Sequence, residues 1–590
     1  MAYPIDKKSA NNSKKPSSIH GFISPLFLSD PTLYRLSFQL SETYKDLAAS
    51  SLEQFFPTPV THLPTGKETG RFLAVYVGMF YLHVGFIELL GEPDSNHRYA
   101  GSSNGGRRRP DERVRRTLEK AWPIEERLKM GHAADFFSWI GNCIAEVVQD
   151  SLRNESDIDN DGGVVRELVT GISFCFPIMQ KSLDEAILMP TGKGFGLESD
   201  LNLRQALLDG YECHIRPLTP SSSDNENEDD DEEARHRQRT AKRRKHFSLP
   251  KLKIAAMTND TVATFASLAY SIKSLPNSRV VMGLMVGAGC NSTVPMKLSD
   301  LHPSKTEFIR AQDPAAAETL VSTEWTLRRS SMPFLNMKLM THWDEEVQSR
   351  SQRPGFQPLE YMVGGRYVGE LVRIIVLEYF TSVLHIEKDV LPWRLLEIDG
   401  LTTDFLSLNV ASASPSGRDD ESLATELTQR LPSTKGWIWN SEKAGILRTV
   451  AAAVQARSTA LIAAATVGLL SCAGEIHLTN PDKLPDSDSS PNPTDMGTSS
   501  SRQDWKNGPE ELVVAFCGGV IQNYPHYKEN IQRQIDRLLV HGGPQDGGKS
   551  IFLREVSDGG IIGVGVLAGT VMGGIEGIVG SSLLGKDDSK

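Results

Sequence analysis

The sequence predicts an α/β protein that folds as two lobes around one cleft. Strand-like apolar runs are followed by long helical runs twice, once before the charged stretch at residues 221–245 and once after it. Apolar residues make up 39% and charged residues 23% of the 590 residues, so a substantial core is expected. A chain of this length forms two to four domains, or two large lobes that share a cleft.

Four patterns in the first part of the chain define its elements. Apolar positions recur at helical spacing over residues 33–56, and residues 72–90 are apolar and strand-like, as in a hairpin. The spacing also predicts a pair of amphipathic helices over 121–152 and a buried strand over 168–176.

The second part alternates strands with long helices. Strands are expected at 252–257 and 279–287, and helices near 259–272, 359–384, 443–470 and 523–540. Residues 561–585 contain eight glycines and a single charged side chain, Glu576. Their length would suit a membrane span, but their weak apolarity favours a buried glycine-rich turn and helix.

Charge and cysteine content narrow the class of protein. The formal charge of −11 argues against electrostatic binding of nucleic acid by a whole domain. The six cysteines are widely spaced, without the spacing of metal ligands, which indicates reduced structural thiols and a cytosolic or nuclear location. Residues 1–18 are polar and are expected to form a disordered tail without a signal peptide. We expect no metal site, no membrane association and no direct nucleic-acid binding.

Residues 218–249 are predicted to form a disordered insertion, because an acidic block over 224–233 is followed by a basic block over 235–245. The basic block resembles a nuclear import signal, which would bind an import receptor. The other interpretation is a solvated loop whose basic half neutralises the acidic half. The basic residues are Arg235, Arg237, Arg239, Lys242, Arg243, Arg244 and Lys245.

An Asn-Asp pair lies where a predicted strand ends. The stretch 258–265 reads TNDTVATF and follows the apolar run 254–257. A carboxylate at a strand end can reach a substrate hydroxyl, although a lone aspartate there is more often a helix cap.

Several stretches, in the same order, resemble motifs of the eukaryotic hexokinase family. They are GISFCFP at 171–177, GKGF at 192–195, NDTV at 259–262, GLMVGAGCN at 283–291, TEW at 323–325, LEYMVGGRYVGELVR at 359–373, the Ala-rich helix at 458–473 and NYPHYK at 523–528. The family counterparts include T-K-G-F, N-D-T-V-G-T, G-L-I-x-G-T-G-x-N and N-x-E-W. Each motif is weak alone, but their common order makes the resemblance strong.

The resemblance implies the two-lobed hexokinase fold, of the actin-like ATPase or ribonuclease H-like kind, with a sugar and nucleotide cleft between a small and a large domain. It implies these divisions: tail 1–18, N-terminal helical part of the large lobe 19–65, small lobe 66–257, large lobe 258–556 with a low-complexity insertion at 481–508, and a segment 557–590 returning to the small lobe.

The resemblance also implies roles for individual residues. Asp260 would be the general base that takes the proton of the sugar 6-hydroxyl. The sugar would be a hexose or hexosamine, and its other hydroxyls would bind Lys193, Asn259, Asn291, Glu324 and Glu360.

On the nucleotide side the chain departs from the family. The first phosphate loop, L-D-L-G-G-T-N-x-R, corresponds to VYVGMFYLH at 75–83, so Tyr76 replaces the acidic residue that helps to position Mg²⁺ and His83 replaces an arginine. Ala288 replaces a threonine, and Cys517 replaces the aspartate of D-G-S. The remaining positions of a degenerate nucleotide site are Gly78, Thr261, Gly287, Gly289 and Gly518.

Two functional hypotheses follow. In the first, the chain is similar to atypical, catalytically degenerate fungal members of the family. It would then regulate carbon-status or starvation responses through protein partners in the nucleus or cytoplasm, without a cofactor. In the second, the chain is an active kinase that uses Mg-ATP to phosphorylate the 6-hydroxyl of a hexose or N-acetylhexosamine, a role that the retained Asp260 would serve.

Overall fold

The computed structural model describes ten stretches of the chain: 18–92, 113–156, 167–190, 194–215, 249–272, 277–411, 420–433, 435–483, 510–543 and 545–583. Several features predicted from the sequence lie outside the described residues. They are nearly all of the tail at 1–18, Lys193, nearly all of the insertion at 218–249 with its acidic and basic blocks, and nearly all of the insertion at 481–508.

The described residues form thirteen strands. They are β1 (Phe56–Pro57), β2 (Thr69–Val77), β3 (Tyr81–Leu90), β4 (Val114–Pro123), β5 (Glu167–Phe174), β6 (Ile178–Met179), β7 (Ile187–Leu188), β8 (Lys251–Asn259), β9 (Ser278–Val286), β10 (Cys290–Lys297), β11 (Glu318–Ser322), β12 (Glu511–Cys517) and β13 (Ser550–Glu555).

Among the same residues are twelve α-helices of six residues or more. They are α1 (Asp30–Ser50), α2 (Ala133–Ser156), α3 (Leu203–Glu212), α4 (Asp260–Ile272), α5 (Pro303–Gln312), α6 (His342–Ser349), α7 (Pro358–Val363), α8 (Gly365–Glu378), α9 (Asp420–Arg430), α10 (Ser441–Cys472), α11 (Tyr527–Gly542) and α12 (Gly559–Leu583).

The first sheet has five strands in the order β4–β3–β2–β5–β8. β2 and β3 form the predicted antiparallel hairpin, whereas β2, β5 and β8 run parallel. Because parallel strands end at the same edge, Val77 is paired with Phe174, and Phe174 with Asn259. The Asn-Asp pair therefore lies at the same edge of the sheet as the turn that follows β2, with β5 between them.

The prediction of helices from residue 121 onward is wrong at its start. Residues Ala121–Pro123 continue β4, in which Trp122 is paired with Leu82 and Pro123 with Tyr81. A four-residue helix, Glu126–Lys129, and then α2 follow. Cross-strand pairing with β3 therefore overrides the helical spacing of the apolar positions.

The second sheet has six strands in the order β1–β11–β10–β9–β12–β13. β9, β12 and β13 run parallel, and β10 is antiparallel to both β9 and β11. The main core of this lobe surrounds α10, most of whose residues are buried. α10 is the one helix of the described residues that is long and apolar enough to cross a membrane, and 89% of its apolar window is buried inside the protein.

The helix predicted over 359–384 is broken into α7 and α8 at Gly364. The Gly364 N–H donates to the Glu360 carbonyl at 2.7 Å, and the Gly365 N–H donates to the Gly287 carbonyl at 2.8 Å. The break thus ties α7, which carries Glu360, to the loop between β9 and β10.

The glycine-rich segment near the C-terminus forms α12, whose described side chains pack on the first sheet and on α4. A Cβ on Gly565 would come within 2.7 Å of Ile87, and one on Gly563 within 1.7 Å of the Ala263 carbonyl oxygen. Because glycine has no side chain, the helix can lie directly against its neighbours, as the buried-helix interpretation expected.

Candidate functional site

The predicted sugar-binding residues of the described chain lie at element ends that converge on the interface between the two sheets. Asn259 is the last residue of β8 and Asp260 the first of α4, and both are about 95% buried. Asn291 lies near the start of β10, Glu324 follows β11, and Glu360 lies in α7.

The Asn259 side chain is bonded at both of its ends. Its Oδ1 accepts from the Val262 N–H at 2.9 Å and from the Thr261 hydroxyl at 3.0 Å. Its Nδ2 donates to the Ser322 hydroxyl at 2.7 Å. The oxygen therefore caps the first turn of α4, which fixes the direction of the amide nitrogen.

Ser322 joins three of the predicted residues. In addition to accepting from Asn259, its hydroxyl donates to Glu324 Oε1 at 3.0 Å and lies 3.4 Å from Asn291 Nδ2. Asn291 Nδ2 donates to the same Glu324 oxygen at 2.7 Å. Sequence reasoning missed Ser322, although it stands at the asparagine of the N-x-E-W motif.

Glu324 has an unusual backbone conformation for a residue with a side chain, with φ of 49°. The buried Gln54 amide holds it there by donating to the Glu324 carbonyl at 3.0 Å and to the Ser330 hydroxyl at 2.8 Å. Non-glycine residues in this region cluster at ligand sites, where surrounding contacts maintain the strain.

The two remaining carboxylates of the predicted set are Glu360 and Asp260. Glu360 Oε2 accepts from the Cys290 N–H at 3.3 Å, which places it next to Asn291. Asp260 lies in the first turn of α4, where the positive end of the helix dipole favours a carboxylate. The structure thus brings together Asn259, Asp260, Asn291, Glu324 and Glu360.

Tyr76 lies close to Asp260. Burial raises the pKa of the Tyr76 phenol well above its ordinary value, and the Asp260 carboxylate raises it further. The ring packs against the start of α12, because a Cβ on Gly560 would come within 2.7 Å of it. A neutral aromatic ring therefore lies at the position for which the family resemblance predicts a carboxylate.

The backbone of the three segments predicted to form phosphate loops is bonded internally. The N–H of Gly78 donates to the Tyr81 carbonyl at 3.0 Å, that of Gly287 to the Gly289 carbonyl at 2.9 Å, and that of Gly518 to Gln522 Oε1 at 3.2 Å.

Thr261 is fully buried, and its hydroxyl is bonded to Asn259 and, at 2.6 Å, to the Thr293 hydroxyl. The Thr261 hydroxyl therefore forms hydrogen bonds within the protein interior.

Cys517 and His83, at two further positions of the predicted nucleotide site, are bonded to neighbouring side chains. The Cys517 thiol lies 2.8 Å from the Thr264 hydroxyl, and burial raises the pKa of the thiol, with a further contribution from Asp260. His83 lies 3.3 Å from Glu119, and the hydrogen bond between them lowers the pKa of that carboxyl.

Two family models, both described as hexokinase, match residues 18–270 and 281–570. The chain belongs to the hexokinase family. The hexokinase of Schwanniomyces occidentalis is 26% identical over 336 residues, and this match spans 56% of the chain and 55% of the relative. Rice hexokinase-7 is 22% identical over 513 residues, with 86% of each chain covered.

Solved hexokinase structures share the fold. The hexokinase of Schistosoma mansoni, solved in complex with glucose, superposes with a TM-score of 0.65 at 21% identity, over 94% of this chain and 98% of its own. A second hexokinase structure has a TM-score of 0.60 at 20% identity. The predicted two-lobed hexokinase fold is therefore confirmed.

Proposed function

We propose that this member of the hexokinase family binds a hexose or hexosamine, transfers phosphate weakly or not at all, and regulates cellular responses to sugar or carbon status. The observation that carries the proposal is the position of Tyr76, which sets a neutral ring beside Asp260 and against Gly560.

The sugar half of the cleft supports the binding part of the proposal. Asn259, Asn291, Glu324 and Glu360 present amide and carboxylate groups at one place, which is the chemistry that recognises sugar hydroxyls. A relative of the same fold was solved with glucose, so glucose is the first ligand to test.

The residues at the nucleotide end do not fit Mg-ATP, the usual co-substrate of the family. The N–H groups of Gly78, Gly287 and Gly518 are already bonded inside the protein, whereas a phosphate loop directs such groups at the ligand. Tyr76 offers no carboxylate to a metal. Since the loss of one preorganised donor typically costs about 3 kcal/mol of transition-state stabilisation, several losses together predict a severe loss of turnover.

One observation favours a second candidate function. Asp260, to which the resemblance assigns the role of general base, is buried at the start of α4 beside Asn259. An active hexose or N-acetylhexosamine kinase would need this carboxylate, whereas a sugar-binding regulator would use it to accept a hydrogen bond from the sugar.

Calorimetry and a coupled ADP-release assay separate the two candidates. We expect the purified chain to bind at least one of glucose, mannose, fructose and N-acetylglucosamine. Its affinity for that sugar should not change when Mg-ATP is added, and it should release no ADP. Asp260→Ala should weaken sugar binding. Turnover above about 1 s⁻¹, the low end for working enzymes, would establish the kinase instead.

The regulatory part of the proposal is based on the resemblance to atypical members of the family and on the basic block at 235–245. Deleting 235–245 should move a fluorescent fusion from the nucleus to the cytoplasm, whereas deleting the acidic block at 224–233 should not. An equal distribution for both deletions would exclude import through the basic block.

A further inference from the structure

The hydrogen bonds around Ser322 have a defined direction. A serine hydroxyl has one proton, and the Ser322 proton goes to Glu324 Oε1, which has no proton to give when ionised. The same hydroxyl oxygen accepts from Asn259 Nδ2 at 2.7 Å and faces Asn291 Nδ2 at 3.4 Å. Ser322 is 3% exposed, so water does not compete for these bonds.

This arrangement occupies most of the polar atoms of Asn291. Its Nδ2 donates to Glu324 Oε1 at 2.7 Å, and its Oδ1 accepts from the Ser292 N–H at 2.8 Å. In contrast, Glu324 Oε2 has no hydrogen-bond partner among the described residues, and Asn259 Nδ2 has one N–H left after its bond to Ser322.

We propose that Ser322 is a positioning residue that turns Glu324 Oε2 and the second N–H of Asn259 toward one sugar hydroxyl. That hydroxyl donates to the carboxylate and accepts from the amide. Asn291 supports Glu324 by donating to its other oxygen, Oε1. This proposal depends on the proposed hexose binding and adds the atoms that carry it.

The same pair of strands provides a matched control. Ser292 is also fully buried, and its hydroxyl bonds the Thr323 hydroxyl at 2.7 Å, next to Ser322 in sequence. Side chains of consecutive strand residues point to opposite faces, so this bond lies away from the Ser322 network. Ser292→Ala therefore removes a comparable buried bond without touching Glu324 or Asn259.

The test is calorimetric titration of glucose into four proteins: the unaltered chain, Ser322→Ala, Ser322→Thr and Ser292→Ala. We expect Ser322→Ala to weaken binding about tenfold, from the cost of leaving buried polar partners unpaired, and Ser292→Ala to change it less than about twofold. Ser322→Thr, which keeps the hydroxyl, should restore most of the affinity. The midpoint temperature of thermal unfolding should fall by similar amounts in the two alanine variants.

Deoxy sugars test the assignment of atoms. The 2-, 3-, 4- and 6-deoxy forms of glucose should each bind the unaltered chain less tightly, but one of them should bind Ser322→Ala and the unaltered chain equally well. Its missing hydroxyl is the one held by Glu324 Oε2. If all four lose the same factor in Ser322→Ala, or if Ser292→Ala loses as much affinity as Ser322→Ala, the positioning role is wrong. If the unaltered chain binds no sugar, both this proposal and the proposed function fail.

Discussion

Substituting Gly560 by alanine tests directly whether the Tyr76 ring stands where it would obstruct a nucleotide. The new Cβ would lie 2.7–2.9 Å from three atoms of that ring, closer than real Cβ contacts allow. Overpacking of this kind costs about 1–3 kcal/mol, offset by up to about 1 kcal/mol from the better helix propensity of alanine. We therefore expect Gly560→Ala to lower the free energy of unfolding by about 1–2 kcal/mol.

Removing the ring should reverse that effect. Tyr76→Ala alone should cost about 2 kcal/mol, below the range for a fully buried aromatic side chain because Tyr76 is only partly buried. In the Tyr76→Ala background, Gly560→Ala should be neutral or stabilising, since the clash has gone. The two substitutions should therefore be coupled by about 1–2 kcal/mol.

Urea unfolding of the four proteins of this cycle measures the coupling. Gly563→Ala is the control, because its Cβ would meet the Ala263 carbonyl oxygen at 1.7 Å and Tyr76→Ala cannot relieve that contact. Purely additive effects of Gly560→Ala and Tyr76→Ala would refute the placement of the ring, and with it the main support for weak phosphate transfer.

Two predictions concern stability alone. The buried Arg457 guanidinium donates to both carboxylate oxygens of Asp344, at 2.8 and 2.9 Å. Asp344→Ala leaves this charge buried without its partner and should lower the free energy of unfolding by about 3–5 kcal/mol. Asp389→Ala, which removes the exposed ion pair with Lys435, should cost less than about 1 kcal/mol. Equal unfolding midpoints for the two variants would contradict this. Burial lowers the pKa of Lys305 to about 8, below its ordinary value, so the unfolded chain binds more protons between about pH 8 and 10.5. The free energy of unfolding should therefore rise with pH in that window, by at most about 1.4 kcal/mol per pH unit. Urea denaturation at several pH values should show no such rise in Lys305→Met. If the slope persists in this variant, Lys305 is not its cause.

Local sequence patterns determined much of the fold. The hairpin at β2–β3, the strands β5, β8 and β9, and the helices α4, α10 and α11 follow from the spacing of apolar residues along single segments. The predictions of secondary structure that differ from the observed elements lie where a segment distant in sequence forms hydrogen bonds with the predicted element. Pairing with β3 extends β4 over residues 121–123, and the loop after β9 binds Gly365 and helps to break the helix at Gly364.

The sequence by itself determined that the chain has motifs resembling those of the hexokinase family in order, with Asn259 and Asp260 at a strand end. It also placed Tyr76 where the resemblance predicts an acid. Only the tertiary structure decided what these residues contact. Ser322 meets Asn259 because β8 and β11 belong to different sheets that face one cleft, and Tyr76 meets Gly560 because α12 returns to the first sheet. Such contacts join segments far apart in the chain, and hydrogen-bond direction and ring packing depend on distances that no local pattern encodes.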